Sequence, residues 1–244
     1  MDFNVKKCAV LAISRKRKPS HFQYSILVQP LTSVEQHDYL GISISNDLRW
    51  NSHCNNIIKK SNKTLGLLRR TLSPCSRDVK KKAYEALVRP RLEYAAAAWN
   101  PHTISLVNKL EQVQRAAARF VYADFRRTTS VTPMITSLGW DSLHVRRLVD
   151  QSVMFYKIHN QFVNIQFPPC VTPACYLSRN DHQLKYQVPT PSTEGFKFFF
   201  YPRSIRVWNH LPPSVVIQAT PAAFKEAALV SIRGMIPPPG SKLL

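Results

Sequence analysis

No acidic residue interrupts the chain between Asp47 and Asp78, yet Lys59, Lys60, Lys63, Arg69 and Arg70 all fall inside that stretch. Ile57, Ile58, Leu65, Leu68 and Leu72 recur there at helical spacing. A segment with this pattern buries one side and leaves a cationic side in water. The spacing predicts a basic amphipathic helix over 52–72. Pro74 breaks it, and Ser76 or Asp78 can cap a second helix bearing Val79, Tyr84, Leu87 and Val88. Pro90 then kinks or ends that helix. The alanine run 95–98 favours helix and allows close packing. A further helix is predicted over 105–122, with Val107, Leu110, Val113 or Gln114, Ala117, Phe120 and Val121 inward. A short one follows over 132–138, ended by Gly139. Ser142 can cap another, running to about 160, with Leu148, Val149, Ser152, Phe155 and Tyr156 inward.

The two ends read differently. Residues 8–13 form a short apolar run, 22–28 alternate as a half-buried strand should, and 39–44 read as a third strand. Closely spaced strands of this kind suggest an antiparallel meander that packs on the helices after it. Toward the other end, Pro168, Pro169, Pro173, Pro189 and Pro191 mark a proline-rich, flexible connection. Beyond it, residues 196–201 are a strongly aromatic strand candidate, and 202–211 a short helix presenting Ile205, Val207 and Trp208. Thr220-Pro221 is a good helix start, with Phe224, Ala227, Ala228 and Val230 as its inward side. The tail from Pro237 reads as disordered. The fold class is therefore α+β, mostly α.

The chain has 244 residues, with 34 Lys and Arg against 14 Asp and Glu, a net charge of +20. That surplus calls for a polyanionic partner, nucleic acid foremost. The five cysteines, Cys8, Cys54, Cys75, Cys170 and Cys175, are odd in number and scattered. The first residues are polar, and no window reaches the roughly 18 apolar residues of a membrane span. The plain reading is an intracellular protein with reduced thiols and no membrane partner, in nucleus or cytoplasm.

Several ordered motifs carry a resemblance. They are Tyr39-Leu40-Gly41-Ile42, Leu48-x-Trp50-x-x-His53 and Lys59-Lys60-x-x-Lys63-x-Leu65-Gly66-x-Leu68-Arg69-Arg70. Further on come Leu87-Val88-Arg89-Pro90-x-Leu92-Glu93-Tyr94, Trp99-x-Pro101 and Leu110-Glu111-x-Val113-Gln114-Arg115-x-Ala117-Ala118-Arg119-Phe120. Collinear over nearly the whole chain, they resemble the C-terminal part of reverse transcriptases from non-LTR, LINE-type retrotransposons, especially jockey-like ones. The resemblance implies a small antiparallel β remnant of a polymerase palm over 1–50, with a primer-grip-like strand, and a helical thumb over 51–125. A helical C-terminal region follows over 126–166, then a Pro-rich connection over 167–195. A C-terminal β/α element with a disordered tail completes the chain over 196–244. Thumb helices of this class lie along a duplex and contact phosphates without reading bases. Lys59, Lys60, Lys63, Arg69 and Arg70 would do so here. Tyr39, Leu40 and Gly41 would be primer-grip-like, and Lys7 would sit on the pyrophosphate side of the catalytic turn. The expected partners are an RNA/DNA duplex and the upstream palm and fingers of the parent polymerase.

The family's chemistry needs paired aspartates holding two Mg²⁺ ions. The sole local look-alike, Tyr122-Ala123-Asp124-Phe125, has one carboxylate and ends a helix. By the resemblance, the catalytic pair belongs upstream of Met1, and the expectation is no catalytic residue, metal or cofactor in this chain. Cys170, Cys175, His182 and His159 fit no common zinc spacing. The six glycines are unclustered, so no phosphate loop is present. Trp50, Trp99, Trp140 and Trp208 read as core anchors. The expected function is the nucleic-acid-binding, non-catalytic C-terminal part of an RNA-directed DNA polymerase. The alternative is a helical protein-interaction scaffold derived from a mobile element, and salt-sensitive nucleic-acid binding separates the two.

Overall fold

The computed structural model describes residues 4, 8–14, 16, 22–179, 181–191 and 193–235. Lys7 and the tail from Pro237 lie outside the described residues. The chain is mostly α with small β ladders, and it divides into two units, Met1–Lys60 and Ser61–Leu244.

In the first unit β1 (Ala9–Leu11) pairs with β4 (Thr32–Val34), which follows β2 (Ser25–Ile26) and β3 (Gln29–Pro30). The β1–β4 pair is parallel, with Ala9 opposite Thr32 and Leu11 opposite Val34. β2 and β3 form an antiparallel hairpin, as do β5 (Gln36–Tyr39) and β6 (Ile42–Ser45). The predicted three-strand meander is thus replaced by separate two-stranded ladders, one of them parallel. Both long strand candidates are cut by turns. Leu27 and Val28 carry φ of 49° and 65°, and Leu40 and Gly41 carry 47° and 81°. Two successive positive φ angles make the tight turn that matches strand twist. Asn-Gly would have announced such turns. Leu-Val and Leu-Gly read as strand interior, which is why the sequence pattern runs through them.

The β5–β6 hairpin is tied to the start of α1 (Asn51–Thr71). Ser43 N–H donates to His53 Nδ1 at 3.2 Å, and Ser52 Oγ donates to Gln36 Oε1 at 2.6 Å. Ser45 and Asp47 close the connection: Asp47 Oδ1 accepts from Arg49 N–H at 2.9 Å, and Ser45 Oγ donates to the Arg49 carbonyl at 2.8 Å. His53 is buried, and burial holds its pKa below the ordinary value.

In the second unit, α2 (Arg77–Leu87) is capped by Ser76. α3 (Arg89–Glu93) begins where Pro90, harmless in a first turn, would have broken a longer helix. α4 (Ala96–Trp99) uses the alanine run, and α5 (Ile104–Tyr122) buries Val107, Leu110, Val113, Gln114, Ala117, Phe120 and Val121. α6 (Thr132–Ser137) leads to α7 (Leu143–His159), capped by Ser142. α7 is packed by neighbours on most of its circumference, and polar Arg147 and Gln151 are buried with its apolar residues. Gln151 Nε2 donates to Ser204 Oγ at 3.0 Å, and its Oε1 accepts from Asn100 Nδ2 at 3.1 Å. Asn100 Oδ1 accepts from Arg147 Nε at 3.3 Å, and its carbonyl accepts from Arg203 Nη1 at 2.9 Å. Trp99, Trp140 and Trp208 are buried, each donating its ring N–H to an oxygen.

α2 differs from its predicted face. Tyr84 and Val88 are buried as expected, but Val79 and Leu87 are about half exposed while Lys80 is buried. The Lys80 ammonium lies 5.8 Å from the centre of the Phe120 ring, so its alkyl stem does the packing.

The C-terminal part departs further. Residues 196–201 are not a strand. Thr193 caps α8 (Glu194–Lys197), accepting from Phe196 N–H at 3.2 Å, and α9 (Phe200–His210) starts directly after. Pro202 sits in the first turn of α9, where its missing N–H breaks no helical bond. Phe200 and Tyr201 pack on the core beside Ile205 and Trp208. α10 (Pro213–Val216) and α11 (Pro221–Met235) complete the unit. On α11, Phe224 and Ala228 are buried but Val230 is 68% exposed.

The proline-rich segment is clipped onto α9. Trp208 Nε1 donates to the Leu184 carbonyl at 2.8 Å, and Asn209 exchanges two bonds with the Tyr186 backbone at 2.7 and 3.0 Å. Its strand character reduces to an isolated bridge between Pro173 and Tyr186. Phe167 packs tilted, and Tyr186 edge-on, against the Phe155 ring.

Two predictions follow from this geometry. Leu40 is 71% exposed in a left-handed conformation that costs a branched residue about 1 kcal/mol. Leu40→Asn should strengthen the hairpin by roughly that amount, read as slower amide exchange at β5 and β6. Unchanged or faster exchange would show that the turn is unstrained.

His144 is buried, its pKa pushed down from 6.5 to about 3 by burial, with Arg147 and Arg203 adding repulsion. The unfolded chain therefore takes up a proton that the folded one refuses. The stabilisation is full above pH 6.5 and declines as pH falls toward 3, by about 1.4 kcal/mol per unit. Denaturant titrations of His144→Leu should show a shallower acid loss than the parent, by about one proton.

Candidate nucleic-acid interface

α1 carries no acidic residue from Asn51 to Thr71. At 100° per residue, Lys59, Lys63 and Arg70 fall within about 40° of one another around the axis, strung over about 16 Å. All three are exposed. Lys60 is also exposed, about a quarter turn to one side. The boundary between the two units falls within α1, so helix geometry alone spaces these cations. Such a row can meet successive phosphates without reading bases.

Arg69 stands apart. It faces the other side of α1, where its Nη2 donates to the Ala116 carbonyl on α5 at 3.0 Å. Its guanidinium lies 5.2 Å from the centre of the Phe125 ring, and burial lowers its pKa. Arg69 holds α1 to α5. Sequence placed it among the phosphate ligands because only the helical angle, and not the charge, separates it from Arg70.

Asp124 follows α5, whose cap Ala123 has φ 54°. Asp124 Oδ1 accepts from Arg126 N–H at 3.0 Å and Nε at 3.1 Å, and Oδ2 accepts from Nη2 at 2.9 Å. These bonds from Arg126 hold its carboxyl far below the usual carboxylate range. Arg119 fixes the same loop, donating to the Arg126 carbonyl at 2.6 Å and the Thr129 carbonyl at 2.9 Å. A carboxylate clamped by a guanidinium has little left for a cation.

Tyr39, Leu40 and Gly41 form the tip of the β5–β6 hairpin, with Tyr39 61% and Leu40 71% exposed. Tyr39 ends a strand and Gly41 turns the chain, so the trio presents a turn rather than a strand. Two features of the surface escaped the sequence reading: Arg77, whose guanidinium lies 4.7 Å from the centre of the Tyr122 ring, and Phe125, which is 56% exposed. The available signal for Phe125 was the cluster of Phe120, Tyr122 and Phe125 between Arg119 and Arg126; nothing in the sequence pattern singled out Arg77.

Among the described residues, no three His, Cys, Asp or Glu side chains gather as metal ligands. His182 faces the Trp208 carbonyl at 3.1 Å and His159 the Tyr186 hydroxyl at 2.7 Å, while Cys170 and Cys175 are exposed. Among the same residues, no helix is long and apolar enough to cross a membrane. Compared with known proteins, the chain matches no family model, no curated protein and no solved structure.

Proposed function

We propose that this chain binds nucleic acid, gripping the phosphate backbone of a duplex along α1. In this reading it is the non-catalytic, thumb-bearing C-terminal portion of a LINE-type RNA-directed DNA polymerase. The observation that carries the binding is the exposed, acid-free row Lys59, Lys63 and Arg70, flanked by Lys60. The collinear motifs support the family reading, and the net charge of +20 supports a polyanionic partner. The exposed hairpin tip of Tyr39, Leu40 and Gly41 is the element proposed to approach a primer strand.

Phosphate neutralisation releases condensed counterions, at about 0.9 per contact for duplex DNA. Four contacts from α1 give a slope of about −3.6 in log K against log salt. Lys59→Glu, Lys63→Glu and Arg70→Glu together should flatten that slope by about 3 and weaken binding at least tenfold, alike for unrelated sequences. Arg69→Ala should act differently: it should lower the melting temperature, since it removes a half-buried hydrogen bond of about 1–3 kcal/mol, and leave the slope nearly unchanged. Anisotropy titrations over a salt series decide this. A salt-independent affinity, or full binding by the triple variant, overturns the duplex grip.

The chain itself is proposed to supply positioning rather than chemistry. Two-metal phosphoryl transfer needs carboxylates bridging ions about 4 Å apart, and Asp124 is engaged by Arg126. Primer-extension assays with Mg²⁺ or Mn²⁺ should give no product. Extension that Asp124→Ala abolishes would overturn this assignment.

A further inference from the structure

A cleft of about 610 Å³ opens where α5 ends and α2 begins. Arg77, Tyr122, Asp124, Phe125, Arg126 and Met134 line it, all in the second unit. It is an open surface cleft rather than an enclosed cavity, so it suits a group that is only partly covered. Its chemistry is narrow: two aromatic rings and two guanidiniums around a carboxylate that Arg126 already neutralises. Arg77 is exposed, and with Arg126 against Asp124 the lining carries a net charge of +1.

Phe125 is the unusual member. It lies just past a helix end, and more than half of its surface is in water. Arg69 lies over one face of its ring at 5.2 Å, and the residue also borders the cleft with Tyr122 and Arg77. The loop that carries it is not loose, because Arg119 donates to the carbonyls of Asp124, Arg126 and Thr129. A rigidly held, exposed aromatic ring, backed by one guanidinium and flanked by another, is a stacking platform for a flat heteroaromatic group attached to an anion. Base-on-ring stacking combined with nearby cations is how single strands are held without sequence readout.

We propose that this cleft receives one unpaired nucleotide of a single-stranded nucleic acid, the base stacking on Phe125 and its phosphate held by Arg77. This rests on the reading of the chain as a nucleic-acid binder, but not on the duplex grip of α1. The site would take the unpaired end of a strand whose paired part is held elsewhere.

The test uses the full chain with fluorescent oligo-dT and, separately, a blunt duplex. Phe125→Ala should weaken oligo-dT binding roughly tenfold, the loss of one stacked base. Phe125→Trp should restore it and show quenching of the new indole when oligo-dT is added. Arg77→Gln, at an exposed site, should weaken binding severalfold and reduce the salt slope by about 0.7, one single-strand phosphate. None of these changes should alter affinity for the blunt duplex. A parent that binds no oligo-dT, equal oligo-dT binding by parent and Phe125→Ala, or an unquenched Phe125→Trp overturns the proposal. Loss of duplex binding on reversing Lys59, Lys63 and Arg70, with oligo-dT binding indifferent to Phe125, sinks the cleft and keeps the grip. Oligo-dT binding that depends on Phe125, in a chain that ignores duplexes, does the reverse.

Discussion

The second unit depends on hiding α7. A helix surrounded by α3, α4, α5, α9 and α11 cannot be amphipathic in the ordinary sense, and α7 carries Arg147, Gln151 and Ser152 in its buried part. Each buried polar atom left bare would cost about 1–3 kcal/mol. The Gln151 amide meets that requirement with three bonds, to Asn100, Ser204 and the Phe200 carbonyl. It thereby fixes where α4 ends and where α9 begins relative to α7. The apolar contacts of Phe155, Tyr156, Trp208 and Phe224 supply the bulk of the burial, but they are tolerant of sliding. The amide network is directional, and it specifies one arrangement.

Charge is distributed by the same economy. The acidic residues are few, and in the second unit most are engaged internally. Glu93 pairs with Arg146, Asp141 with Arg233, Asp150 with Lys225, Asp181 with Lys185, Asp124 with Arg126 and Glu85 with Arg89. Glu111 accepts from the His144 amide at 2.7 Å at the start of α7. Little negative charge is left to offset the cations of α1, so their field reaches solvent over roughly a Debye length.

Much of this was legible in the sequence. The helix over 105–122 was readable because its apolar residues recur with a single period, the one over 142–160 from its Ser142 cap, and the basic face of α1 from the missing acids. Most of what failed traces to a partner distant in sequence; the turns at Leu27-Val28 and Leu40-Gly41 failed locally, for want of the usual turn residues. Residues 196–201 look like a strand until Thr193 caps a helix and the core near Trp208 receives Phe200 and Tyr201. The proline-rich segment looks free until Asn209 pairs with Tyr186. Lys80 is buried because Phe120 happens to lie beneath it, and Arg69 turns inward because the Ala116 carbonyl is there. The Leu40-Gly41 turn had half a signal, a glycine with no asparagine before it.

The encirclement of α7 also sets an order of events. Its companions α3, α4 and α5 precede it in the chain, but α9 and α11 emerge from synthesis well after it, with the long proline-rich loop in between. Until they arrive, Val145, Val149 and Phe155 have one flank uncovered, and the Gln151 amide lacks its Ser204 partner. A nascent chain that ends before α9 leaves that flank of α7 without its cover, the kind of surface that aggregates or recruits a chaperone. Closure by non-local contacts should make this unit a slower folder than its helical content suggests.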